Sequence, residues 1–253
     1  MKLALVQYSP DWEDIENNKK KITSLLSGQK KDFDLIIMPE MTLTGFTMKS
    51  EEFAESVDGN SFAYFSLLAV KFNSNIIAGL IEKESDEIFN TLVHINRRGE
   101  LVNKYHKIHP FSYSGEDKNY SKGKNTVITD IDGVKTGLSI CYDLRFPELF
   151  RFYAKERAEL MVIIANWPAS RIAHWCALLR ARAIENQSFI IGVNRTGADP
   201  VLNYNGFSGV YGPYGDELVS LEDKEQIITI DIDMNEVAKT RAKLPFLNDI
   251  SLI

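Results

Sequence analysis

The chain has 253 residues, 44% hydrophobic and 25% charged, the balance of a globular protein large enough to hold a core without disulfides or a metal. Its 35 acidic and 29 basic side chains give a net charge of −6, which argues against nucleic acid or an anionic membrane as the main partner. Two cysteines, Cys141 and Cys176, are too few for a disulfide framework and suit a reducing, cytoplasmic setting.

The opening "KLALVQYS" reads as a buried first strand rather than a signal peptide, since acids soon follow and no small-residue cleavage site does. No run approaches the roughly 18 apolar residues of a membrane span. In "DWEDIENNKKKITSLLSG", Ile15, Ile22, Leu25 and Leu26 share a helix face, with Gly28 as the stop. "FDLIIMPE" is a second buried strand and "SFAYFSLLAVKF" a second helix. "NIIAGLIEK", "IFNTLVHIN" and "ELVNKYHKI" follow as strands, the last two joined through "RRG". "VITDIDGVKTGLSI" predicts a hairpin turning at Asp132-Gly133.

After Cys141 the pattern predicts a helix from Pro147, a strand "LMVIIANW" and a helix over "IAHWCALLRARAIENQ". The strands "FIIGVNR", "FSGVYGP" and "EQIITIDI" and a helical piece at "NEVAKTRAK" complete the order. No linker, repeat or low-complexity block divides the chain, so one domain over 1–253 is expected. Strands interspersed with helices and hairpins suggest an α/β protein with a mixed sheet, or two sheets, covered by helices.

Cys141 lies between the apolar "KTGLSI" and "YDLRFPELFR", at a strand-to-helix junction where backbone N–H groups point outward. Such groups lower a thiol pKa and stabilise an oxyanion. Position alone leaves Cys141 open between nucleophile and buried small hydrophobe. Cys176 is in phase with Ile172, Leu179 and Ala183 and reads as core. The histidines His94, His106, His109 and His174 leave a Cys-His pairing possible, whereas His106 and His109 lack the further ligands a metal needs, so no metal site is expected. A phosphatase loop would need arginine six residues after the cysteine, where Pro147 stands. Glu40, following an apolar run and a proline, would be a general base if buried, and Lys107 also follows a strand, but either could be a solvated charge.

Three segments together resemble the motifs of the nitrilase, or carbon–nitrogen hydrolase, superfamily: "LIIMPEMTLTGF", "NKYHKIHPF" and "GLSICYDLRFPELFR", in the family's order. The likeness extends over "KLALVQ", "ANWPASRIAHWCALLRARAIENQSFIIGVNRTG" and "GFSGVYGPYGDEL", nearly the whole chain. It implies a catalytic triad of Glu40, Lys107 and Cys141: base, oxyanion stabiliser and nucleophile, with the backbone N–H of Tyr142 as second oxyanion donor. It also implies Glu116 as a supporting glutamate that positions water, a weaker match in a variable loop. Pro110 departs from the leucine common after the histidine and leaves the triad intact. The implied fold is a four-layer αββα sandwich, the implied assembly a homodimer or higher homo-oligomer, and no cofactor is implied.

Within the superfamily, "CYDLRFPELFR" with "ANWP" looks closest to the omega-amidase branch, which hydrolyses the terminal amide of 2-oxoglutaramate or 2-oxosuccinamate to the dicarboxylate and ammonia. Tyr142 and Asp143 stand where true nitrilases tend to have tryptophan and glutamate, so an amide is the expected small-molecule substrate. Other amidases of the fold, acting on N-carbamoyl or aliphatic amides, and a non-catalytic thiol-sensing protein are the alternatives. The substrate's carboxylate requires a cation or convergent donors. Arg171 and Arg195 are candidates, while Arg145 is read as a structural ion pair, and Tyr113 and Trp167 are candidate walls that could equally be core.

Overall fold

The computed structural model describes residues 1–29 and 33–251. In chain order the first half carries β1 (Lys2–Gln7), α1 (Ile15–Ser27), β2 (Leu35–Ile37), α2 (Ser50–Phe53), α3 (Asn60–Phe72), β3 (Asn75–Glu84), β4 (Glu87–Ile95) and β5 (Leu101–His106). Next come β6 (Ile128–Ile131), β7 (Val134–Ile140), α4 (Pro147–Lys155), β8 (Leu160–Ala165), α5 (Ile172–Asn186) and β9 (Phe189–Asn194). The chain continues through β10 (Thr196–Ala198), β11 (Asn203–Asn205), β12 (Ser208–Tyr211), β13 (Glu217–Leu221), β14 (Gln226–Asp231) and α6 (Asn235–Lys243).

Two mixed six-stranded sheets result, ordered β14-β1-β2-β3-β4-β5 and β13-β12-β9-β8-β7-β6. Each has a parallel centre, β1-β2-β3 in one and β7-β8-β9 in the other, with antiparallel strands outside it. Parallel strands covered on both faces read as continuous apolar runs. Alternate residues of those runs enter different cores. Leu3, Leu5, Leu35, Ile37 and Ile77 join Leu138 and Ile140 of the opposite sheet. Their neighbours Ala4, Val6, Ile36, Ile76 and Ala78 pack with Ile22 and Leu26 of α1 and Phe65, Leu68 and Phe72 of α3. On the far side α4 and α5 cover the second sheet so closely that a Cβ on Gly137 would meet the Tyr153 ring at 2.7 Å and one on Gly192 would meet Leu179 at 2.5 Å. The layers are therefore α, β, β and α, as the resemblance implies.

Local chemistry accounts for the element boundaries. Asp14 caps α1 by accepting the Asn17 N–H at 3.0 Å, a contribution of about 1 kcal/mol. Asp132 and Gly133 take φ of 52° and 89°, the paired left-handed conformation of a two-residue hairpin turn. Several predicted strands end early: β2 stops at Ile37, β5 at His106 and β8 at Ala165, so Glu40, Lys107 and Trp167 lie just beyond them. Between Cys141 and the Pro147 helix stands an unforeseen 3-10 segment, Cys141–Arg145. Unforeseen too are α2, the β10–β11 hairpin and the edge strand β13, which are short or half-exposed and carry little periodicity.

Candidate active site

Glu40, Cys141 and Asn166 follow the C-terminal ends of β2, β7 and β8, where the chain leaves a parallel sheet and side chains converge. Lys107 reaches the same place from the end of β5. The structure brings Glu40, Lys107, Glu116 and Cys141 together.

Lys107 is 1% exposed, and its Nζ donates to Glu40 Oε1 at 2.8 Å and to Glu116 Oε1 and Oε2 at 3.0 and 2.9 Å. Asn90 of β4 donates through Nδ2 to both carboxylates, at 2.7 Å to Glu40 and 2.8 Å to Glu116. The second oxygen of Glu40 accepts the Asn166 backbone N–H at 2.8 Å, and that of Glu116 accepts the Phe111 N–H at 2.6 Å. Burial by itself lowers the Lys107 pKa, but the charges of Glu116 and Glu40 outweigh it and hold the ammonium well above the ordinary lysine range. Burial pushes Glu116 up, Lys107 opposes and Glu40 adds to the rise, so this carboxyl titrates above its usual range.

Cys141 is 9% exposed and has φ of +47°, a left-handed conformation that a β-carbon disfavours. The tight turn places the thiol beside Glu40. Burial raises the thiol pKa well above its usual value; Glu40 adds to this and Lys107 opposes it. A thiol whose pKa is raised in this way needs a base before its sulfur can act as a nucleophile.

Cys141 opens onto a cavity of about 600 Å³. Phe46, Trp167, Tyr142 and Phe111 supply aromatic lining. Tyr113 lies at its rim, 87% exposed, whereas Trp167 is 2% exposed and anchored by an Nε1 bond to the Arg171 carbonyl at 2.8 Å. Arg171 lines the cavity with its guanidinium 5.4 Å from the Phe111 ring. Arg145 corrects the sequence reading. It makes no carboxylate ion pair among the described residues; it lies in the cavity wall, 4.6 Å over the Trp167 ring and within 3.4 Å of His174 Nδ1. The short turn after Cys141 aims it inward, which linear spacing did not convey. Arg195 does not line the cavity. It is wholly buried, donates to the carbonyls of Thr196 and Ala198 at 3.1 and 2.9 Å, and lies 4.3 Å over Tyr204.

The two histidines near Lys107 diverge. His106 pairs with Glu82 at 2.8 Å, while His109 Nδ1 meets Asp143 Oδ1 at 2.7 Å. Among the described residues no group of three or more His, Cys, Asp or Glu side chains is arranged to hold a metal ion. Cys176 lies at the margin of the α5 stripe, partly exposed, with Trp175, Leu179 and Ala183 as the buried positions. Sequence reasoning missed Asn90, Asn166 and Asp143. An asparagine inside the apolar "IFNTLVHI" was the one visible signal for the first.

Residues 2–242 match the sequence model described as carbon-nitrogen hydrolase, and the chain belongs to that family. It is similar to a 2-oxoglutaramate amidase of Bacillus subtilis (strain 168), 31% identical over 98% of this chain and 96% of that one. It is also similar to a Staphylococcus aureus protein named "Hydrolase in agr operon", 35% identical over 100% and 98% of the two chains. Among solved structures, a CN-hydrolase superfamily protein of Xanthomonas campestris with an arsenic adduct in its active site superposes with a TM-score of 0.95 at 32% identity, covering 100% of this chain and 98% of that one.

Proposed function

We propose that the protein is a cysteine-dependent omega-amidase, cleaving the terminal amide of 2-oxoglutaramate-type keto acids to the dicarboxylate and ammonia. The observation that carries this reading is the buried Glu40–Lys107–Glu116 cluster against a Cys141 thiol that opens onto a cavity whose wall holds Arg145 and Arg171, neither with a carboxylate partner among the described residues. Its relatives include proteins named for this activity.

Sulfur attacks the amide carbon as Glu40 takes the thiol proton. The carbonyl oxygen becomes an oxyanion, held by the Lys107 ammonium and the Tyr142 backbone N–H. The intermediate collapses to a thioester as Glu40 returns the proton to departing ammonia. Water then attacks the thioester carbon, again giving its proton to Glu40, and the acid leaves as the thiol is restored. Glu116 holds Lys107 in place and supports the water's position. Arg145 and Arg171 receive the substrate's carboxylate, their planar guanidinium groups being suited to bidentate pairing.

The reading carries with it a single hydrolase domain that works in the cytoplasm as a homo-oligomer. Phe152 of α4 and Ile184 of α5 are 47% and 51% exposed, apolar surface that a second copy would cover; sedimentation velocity tests that part. Ammonia release from 2-oxoglutaramate, glutamine, N-carbamoyl amino acids and aliphatic nitriles tests the substrate, with 2-oxoglutaramate expected to lead. Preference for an N-carbamoyl or neutral amide would move the assignment within the family. Turnover surviving in Cys141→Ala would overturn the mechanism.

A further inference from the structure

Asp143, two residues after Cys141, is wholly buried and both of its carboxylate oxygens are engaged. Oδ2 accepts the Tyr105 hydroxyl at 2.8 Å and the Ile140 N–H at 3.0 Å. Oδ1 accepts the His109 backbone N–H at 3.0 Å and meets His109 Nδ1 at 2.7 Å. Tyr105 and His109 stand two residues before and two after Lys107, and Ile140 directly precedes Cys141. One carboxylate therefore joins the segment that carries the lysine, at the edge of one sheet, to the turn that carries the thiol, at the end of a strand in the other.

Two further contacts tighten this joint. The Ile140 bond closes the left-handed turn at Cys141, a conformation that persists only when its surroundings hold it. His109 also stacks on Phe146, with ring centroids 3.8 Å apart and planes at 7°, so it grips the turn at both its middle and its far end. A buried carboxylate costs several kcal/mol in desolvation unless donors compensate, and here every donor comes from a residue flanking Lys107 or Cys141.

We infer that Asp143 is a positioning residue that sets the Lys107–Cys141 geometry across the two sheets, with His109 as its second hand. The inference rests on the assignment of Cys141 and Lys107 to the chemistry and adds a residue that touches neither the substrate nor the reacting atoms. Asp143→Asn keeps an acceptor for Ile140 and Tyr105 but turns an NH2 group against the His109 N–H, so the joint opens on the His109 side of Lys107 while the Tyr105 bond and the turn are retained.

The test is Asp143→Asn, read by amide turnover, by thermal unfolding and by the rate at which iodoacetamide alkylates Cys141, followed on the Cys141 peptide by mass spectrometry. An ångström of misplacement costs about 100-fold in rate, so kcat should fall by about that factor with KM within about threefold, and alkylation should slow by about tenfold. A role in stability alone would lower the unfolding temperature and leave alkylation of the folded protein at the parent rate; that result, or parent kcat, overturns the inference. Should Asp143→Asn fail to fold, His109→Phe decides, since it keeps a ring for Phe146 and removes only the Nδ1 bond. A fall in kcat of about fivefold or more at unchanged KM supports the inference, and parent kcat and alkylation overturn it. Turnover in Cys141→Ala would instead strike the catalytic assignment itself, and the alkylation assay needs no substrate, so the two failures are distinct.

Discussion

A Cβ placed on Gly79 would stand 2.4 Å from the backbone nitrogen of Met41 and 2.9 Å from the Cα of Glu40. β3 thus touches the segment bearing the glutamate with no room for a side chain. The contact is held from both sides, since the Gly79 N–H donates to Thr42 Oγ1 at 3.0 Å and the Gly79 carbonyl accepts the Thr42 N–H at 2.9 Å. The obstruction is backbone, so a methyl group cannot be accommodated by a rotamer change. Gly79→Ala should cost about 1–3 kcal/mol of stability and, by displacing Glu40, lower kcat by about 10- to 100-fold. Urea unfolding and steady-state kinetics on the same variant check both parts.

Lys107→Met leaves two carboxylates, Glu40 and Glu116, in a site without their shared cation. Losing one partner of a buried ion pair costs about 3–5 kcal/mol at pH 7. Without the ammonium the folded protein should bind a proton that the unfolded chain has released, so its stability should fall as pH rises and recover toward pH 5. Unfolding free energies of the variant at pH 5, 6 and 7 give the slope, which should be steeper than that of the parent, where Lys107 opposes the rise at Glu116.

Arg145→Ala and Arg171→Ala separate recognition from chemistry. If these cations receive the carboxylate of the substrate, each loss removes about 1.5–3 kcal/mol of charge-assisted bonding, or about 10- to 100-fold in kcat/KM for 2-oxoglutaramate. For a neutral aliphatic amide the change should stay within about threefold. Equal losses for both substrates would assign the arginines to the shape of the cavity.

At the opposite end of the sandwich His94 is 1% exposed, with Nδ1 2.7 Å from Thr129 Oγ1 and Nε2 3.2 Å from Asn75 Oδ1. Burial lowers its pKa from 6.5 to about 4. Between those values the unfolded chain binds a proton that the folded protein refuses, so stability should fall as pH drops from 6.5 toward 4, by on the order of 2–3 kcal/mol in total. His94→Gln should be less stable at pH 7 yet show a shallower decline across that window, as measured by chemical denaturation at half-unit pH steps.

The helices and strands of this chain were legible because their information is local. Ile22 and Leu26 on one face of α1, the unbroken apolar runs of β1, β2 and β8, and the Asp132-Gly133 turn each express a period or backbone preference within a few residues. Glu40, Lys107 and Cys141 were legible differently, through three motifs in a familiar order rather than through any period. The short turn at Cys141–Arg145 was not, because a single left-handed cysteine and one 3-10 turn leave no repeat to detect.

By itself, then, the sequence determined the strands and helices, the family resemblance and which three polar residues to watch. Only the tertiary structure decided what surrounds them. The Lys107–Glu40 pair spans 67 residues and the Asn166–Glu40 bond 126. Asp143, Asn90 and the inward-facing Arg145 likewise acquire their places only when two sheets pack and strand ends meet. Such contacts depend on the register and spacing of whole layers, and a chain read along its length carries no local signal for the distance between two layers.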